Sequence, residues 1–141
     1  MEKTVQGDYG VVHWLEEHLI EVVPKQGIEV SGDDLALIYQ GIYERSNGYY
    51  ALLINRENDY SLTFDAHQQL GNAEGLVASA YLVYSEASAQ VAEYNAKLAR
   101  AARCPIAVFQ NRDQALVWLR MHLQRYEAQQ QAAAKHGAKP G

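Results

Sequence analysis

Apolar and polar positions along the chain follow two different periods, and the change between them is sharpest in the second half. Residues 77–84 form an apolar run with strand character, and from 85 to 103 the apolar residues recur at helical spacing. Residues 106–109 are a second short apolar run, and 111–126 a second helical stretch. Strand, helix, strand, helix predicts a parallel sheet with helices packed against it. In the first half, residues 11–15 and 19–23 flank the polar break Glu16-Glu17-His18. They read as a β-hairpin, with Val11, His13 and Leu15 set against Leu19, Glu21 and Val23. Pro24 ends the second strand, and residues 28–30 read as a brief extended segment.

Ser31 has the position of an N-cap, with Asp34 three residues on to favour the free N–H groups. Leu35, Ile38, Tyr39 and Ile42 are the apolar stripe of the first helix, and Asn47-Gly48 stops it. Residues 49–55 carry the continuous apolar centre Ala51-Leu52-Leu53-Ile54, as a strand buried on both faces does. A polar loop follows at 56–59, then a short helix over 61–70 and a turn over 71–75. The last helix has Asn111 as N-cap, Gln114 in the capping-box position, and a stripe of Leu116, Leu119, Leu123 and Tyr126 with Trp118 beside it. It is expected to run as far as Ala134, although nothing beyond Gln129 can anchor it. The expected architecture is α/β, with a five-stranded mixed sheet and four helices. Its first two strands form an antiparallel hairpin, and the others run parallel through right-handed crossovers. Residues 1–130 read as one domain and 131–141 as a flexible tail.

Composition narrows the function more than it suggests one. A chain of 141 residues can bury a sizeable core unaided. The net charge of -5 disfavours nucleic acid as a partner. The single cysteine, Cys104, excludes an internal disulfide and fits a reducing compartment. No secretory leader and no run of about 20 apolar residues is visible, so the expected address is the cytoplasm. Helix starts carry Asp33, Asp34, Asp65, Glu86 and Asp113, which would repel a phosphate, and no glycine-rich cradle is present. His13 and His18 flank Glu16 and Glu17, and His67 follows Asp65, but these lack metal-ligand spacing. Cys104 has Arg100 and Arg103 nearby in sequence, without a base and an orienter to make it a nucleophile. No catalytic residue, cofactor or metal is therefore expected, and the chain reads as a non-enzyme.

The segments Val77-Ala78-Ser79-Ala80-Tyr81-Leu82-Val83-Tyr84, Asn95, Cys104-Pro105-Ile106-Ala107-Val108-Phe109 and Arg112-Asp113-Gln114-Ala115-Leu116-Val117-Trp118-Leu119 carry a resemblance. In order and pattern they resemble the STAS-like superfamily, most nearly its small stand-alone bacterial branch, similar to anti-sigma-factor antagonists. CRAL-TRIO lipid-transfer domains are broader kin. The last third of the chain carries the pattern, and the remainder matches by element order. The resemblance implies a regulatory domain acting through a protein partner. In antagonists a serine that begins the helix after the central strand is phosphorylated. Ser61 and Thr63 stand at the matching place, and the Asp-Ser-Ser-Gly signature is absent.

Ten tyrosines against two phenylalanines are the remaining signal. Tyrosine suits half-buried positions with one apolar and one wet end. They read either as an aromatic-rimmed pocket at the carboxyl ends of the strands or as phenylalanine substitutes in the core. The candidate surface for a partner or ligand is Asn55, Arg56, Tyr60, Ser61 and Thr63, together with Tyr84, Ser85 and Ser88. A protein partner is the first expectation and a small apolar ligand or lipid the alternative. A homodimer sealed by the last helix is a further expectation.

Overall fold

Which helix covers which face is decided by residue alternation in three central strands. The structure is a computed structural model that describes residues 3–98 and 103–137. Its elements are β1 (Lys3–Gly7), β2 (Gly10–Glu16), β3 (Leu19–Pro24), β4 (Glu29–Val30), α1 (Gly32–Arg45), β5 (Tyr50–Asn55), β6 (Ser61–Leu62), α2 (Phe64–Gln69), β7 (Leu76–Leu82), α3 (Glu86–Leu98), β8 (Ile106–Phe109) and α4 (Arg112–Gly137). The main sheet has six strands in the order β1-β2-β3-β5-β7-β8. The first three are antiparallel neighbours, and β3, β5, β7 and β8 run parallel.

From β3 to β8 the chain moves across the sheet in one direction. Crossovers of one hand then place their helices on one face. Ile20, Val22, Tyr50 and Leu52 pack there against Leu35, Ile38 and Ile42 of α1 and Ala66 of α2. Tyr81 and Val83 meet Ala89 and Ala92 of α3. The alternate residues, Leu19, Ala51, Leu53, Ala78, Ala80 and Leu82, point to the opposite face. There α4 covers them with Ala115, Leu119 and Leu123. The alanines let α4 lie close to the strands.

The structure corrects several expectations. The sheet has six strands rather than five, because Lys3–Gly7 pairs with β2. A separate two-stranded parallel sheet joins β4 to β6. The helix expected over 61–70 begins only at Phe64: Ser61 and Leu62 are extended by pairing with β4, and Thr63 is the N-cap. The hairpin pairs Val11 with Val23 and His13 with Glu21 as expected, but Glu16, not Leu15, faces Leu19 across a bulge. The last helix continues to Gly137, past Ala134. Trp118 lies beside the α4 stripe, half-buried against Phe109 and His122. Residues 99–102, at the expected end of α3, and 138–141 of the expected tail lie outside the described residues.

Turn and cap chemistry fix the joins. Gly10 has φ 144°, and a β-carbon there would meet the Val23 carbonyl, so only glycine fits where β2 begins. At the start of α1, Ser31 Oγ accepts from the Asp34 N–H (3.1 Å), and Asp34 Oδ2 accepts from the Ser31 N–H (3.2 Å). That is a complete capping box. Ser31→Ala is expected to lower stability by about 1 kcal/mol, read as a reduced midpoint in urea denaturation with an unchanged slope.

Candidate functional site

The loop after β5 is polar, yet it is held at nearly every residue. Arg56 N–H donates to the Leu82 carbonyl (2.9 Å), and Glu57 N–H to Asn55 Oδ1 (3.0 Å). Asn58 Nδ2 donates to the Pro24 carbonyl (3.1 Å), and Asp59 N–H to Gln26 Oε1 (2.9 Å). Asn and Asp serve such turns because their short side chains bond nearby backbone. The loop thereby fixes Arg56 and Tyr60, and the Arg56 guanidinium lies 4.8 Å from the centre of the Tyr60 ring.

Behind Tyr60 lies a cavity of about 50 Å³ between α1, α2 and the carboxyl halves of β3, β5 and β7. Its lining is mainly apolar, with Val22, Leu35, Ile38, Leu52 and Ile54 among the walls. Tyr39, Tyr60 and Tyr81 also line it, and no hydrogen-bond partner for their hydroxyls occurs among the described residues. Burial pushes all three phenols above their ordinary value, so they stay protonated as donors. An outer cavity of about 210 Å³ adjoins it, with Tyr60, Leu62, Leu70 and Tyr81 lining both. Arg56, Ser61, His67 and Asn95 add polar walls to the outer space. His67 Nδ1 is buried without a partner among the described residues.

On the opposite face, the carboxyl ends of β3 and β5 carry a polar cluster. Glu21 is 5% exposed, and both its carboxylate oxygens accept from the Arg112 guanidinium, at 2.8 and 2.7 Å. Asn55 Nδ2 also donates to Glu21 (2.8 Å), and Tyr84 Oη donates to Asn55 Oδ1 (2.8 Å). Burial alone would raise the Glu21 pKa. The Arg112 fork, helped by Asn55 and the facing His13, outweighs it and holds the carboxyl below its ordinary value. The cluster clamps the start of α4 to the sheet.

The sequence-selected residues are thus divided between two faces. Arg56, Tyr60 and Ser61 meet at the outer cavity. Asn55 and Tyr84 belong to the clamp. Thr63 caps α2 and Ser85 caps α3, accepting from Ala66 N–H (3.3 Å) and Ser88 N–H (3.1 Å). Glu21, Arg112, His67 and Tyr81 were not among the selected residues. An acid inside the apolar run Leu19-Ile20-Glu21-Val22-Val23 was the one available signal for the clamp. Burial pushes the Cys104 thiol up to about 11, which leaves it a poor nucleophile at neutral pH, and Arg100 lies outside the described residues.

Comparison with family models and with curated proteins finds no match. Among solved structures, the chain is similar to an uncharacterized protein of the DUF3478 family from Shewanella loihica PV-4, described as having a SpoIIAA-like fold. The identity is 14%, the match covers 84% of this chain and 92% of that one, and the TM-score is 0.49. A likeness of this degree concerns the fold and brings no function with it. No helix among the described residues is long and apolar enough to cross a membrane.

Proposed function

We propose that this protein binds a small, mainly apolar molecule in the cavity between α1, α2 and the sheet. The observation that carries this reading is a mainly apolar space lined by Tyr39, Tyr60 and Tyr81, whose hydroxyls have no hydrogen-bond partner among the described residues. An apolar body with one polar group meets both kinds of wall. The position, at the carboxyl ends of parallel strands, is where open α/β sheets hold ligands.

Ser79 is 5% exposed and lines the cavity from β7. Ser79→Leu fills part of the space with apolar atoms. Octanol at saturating concentration is expected to raise the melting temperature of the unaltered protein, because a ligand bound only to the folded state stabilises it. The Ser79→Leu protein is expected to show little or no shift while keeping its circular dichroism spectrum. An equal shift in both proteins would place the ligand elsewhere and end this reading.

A second reading, a regulatory interaction with a protein partner, is favoured by Phe64, Val91 and Tyr94. All three are more than half exposed, on the two helices that line the outer cavity. Exposed apolar side chains of that size gain by being covered.

A further inference from the structure

The outer cavity has a charge character unlike the rest of the chain. The protein carries 17 acidic side chains against 12 lysines and arginines. Yet the outer lining contains Arg56 and His67 and no carboxylate. The ion pairs among the described residues use Arg112, Arg120 and His18, and Arg56 joins none of them. Its guanidinium rests on the Tyr60 ring, which orients the cation without neutralising it. Asn95 and Ser61 supply further polar groups, and His67 Nδ1 is an unpaired polar atom in a wall of the same space. A permanent cation with no ion-pair partner among the described residues, beside the buried and unpaired His67 Nδ1, suits a negatively charged group.

Resting on the apolar-cavity reading above, we propose that the ligand is a monocarboxylate with an unbranched apolar body. Its carboxylate is held in the outer cavity by Arg56, and its body points across the shared wall of Tyr60, Leu62, Leu70 and Tyr81 into the inner space. Arg56 is the one permanent cation in that lining, and its planar fork matches the two oxygens of a carboxylate. A doubly charged phosphate head would leave charge unmatched there. His67 and Asn95 position the head by hydrogen bonds at its flank. Arg56 is itself placed by its backbone bond to Leu82 and by the held loop, so little ordering is needed on binding.

The test compares octanoate with octanol at neutral pH, where the acid is ionised, by titration calorimetry on the full chain. Octanoate is expected to bind more tightly, and Arg56→Gln to reduce the octanoate-to-octanol affinity ratio by about tenfold, the scale of one charge-assisted hydrogen-bonded contact. Arg56→Lys keeps the charge without the fork and should recover part of the ratio. Arg125→Gln, at an exposed position of α4, should leave it unchanged and so controls for overall charge. Circular dichroism and melting temperature establish that each variant is folded. A ratio near one, or a ratio indifferent to Arg56→Gln, overturns the carboxylate assignment and leaves the apolar-cavity reading standing. No binding of either probe overturns both.

Discussion

Leu119→Ala is expected to reduce the unfolding free energy by about 3–4 kcal/mol. Leu119 is fully buried in the middle of the α4 interface, in a cluster with Ala51, Ala78, Ala80 and Ala115, each also fully buried. The cost of deleting a core leucine runs from about 2 to 5 kcal/mol, according to how far the neighbours can close on the space. The alanine methyls are fixed to strand and helix backbone and have no rotamers with which to reach in, and the leucines of the same cluster, Leu19, Leu53, Leu82 and Leu123, are already held by burial. The cavity stays open, and the loss falls in the upper part of the range. Urea denaturation should show a lowered midpoint with the slope preserved. A loss under about 1 kcal/mol would mean that α4 packs more loosely than described.

The second large effect is expected from Arg112→Met. Removing the guanidinium leaves the Glu21 carboxylate buried, with Asn55 as its remaining side-chain partner. Stranding a buried charge costs about 3–5 kcal/mol. The Arg112 side chain is 41% exposed, so water takes over part of its role, and the expected loss is about 2–3 kcal/mol. The pH dependence gives an independent check. In the unaltered protein the folded Glu21 pKa lies below its unfolded value of about 4.5. Its stabilising contribution is therefore present above that pH and is lost as pH falls through the lowered folded value. In Arg112→Met, desolvation dominates and raises the folded pKa, so the sign reverses and this group favours folding less as pH rises. Adding Glu21→Leu to Arg112→Met should recover most of the stability, because an apolar pair of similar volume leaves no charge stranded. If the double variant is as unstable as the single one, packing rather than charge holds this end of α4.

Local pattern revealed the elements whose burial is periodic. Ala51-Leu52-Leu53-Ile54 announced β5 because both faces of that strand are covered, and the stripe of α1 announced its one buried side. β1 escaped because Lys3–Gly7 is exposed on both faces apart from Val5, so no periodicity marks it. β6 escaped because two residues cannot show a period, and its extended form comes from a neighbour distant in sequence. Arg56, Tyr60 and Tyr84 were legible as polar or aromatic residues at strand ends. The union of Glu21 with Asn55 and Arg112 was not, since these positions are 34 and 91 residues apart. Nor does an apolar cavity leave any local mark, being a property of how α1 and α2 sit above the sheet.

The one-way march of the sheet also sets a timetable. Because every crossover helix falls on one face, the other face waits for α4, which follows every strand in the chain. Until residues beyond Asn111 emerge, Leu19, Leu53 and Leu82 form an oily surface with nothing over it. A chain that has all its strands but not yet α4 is then at its most adhesive, and a product cut just before α4 would be prone to clumping.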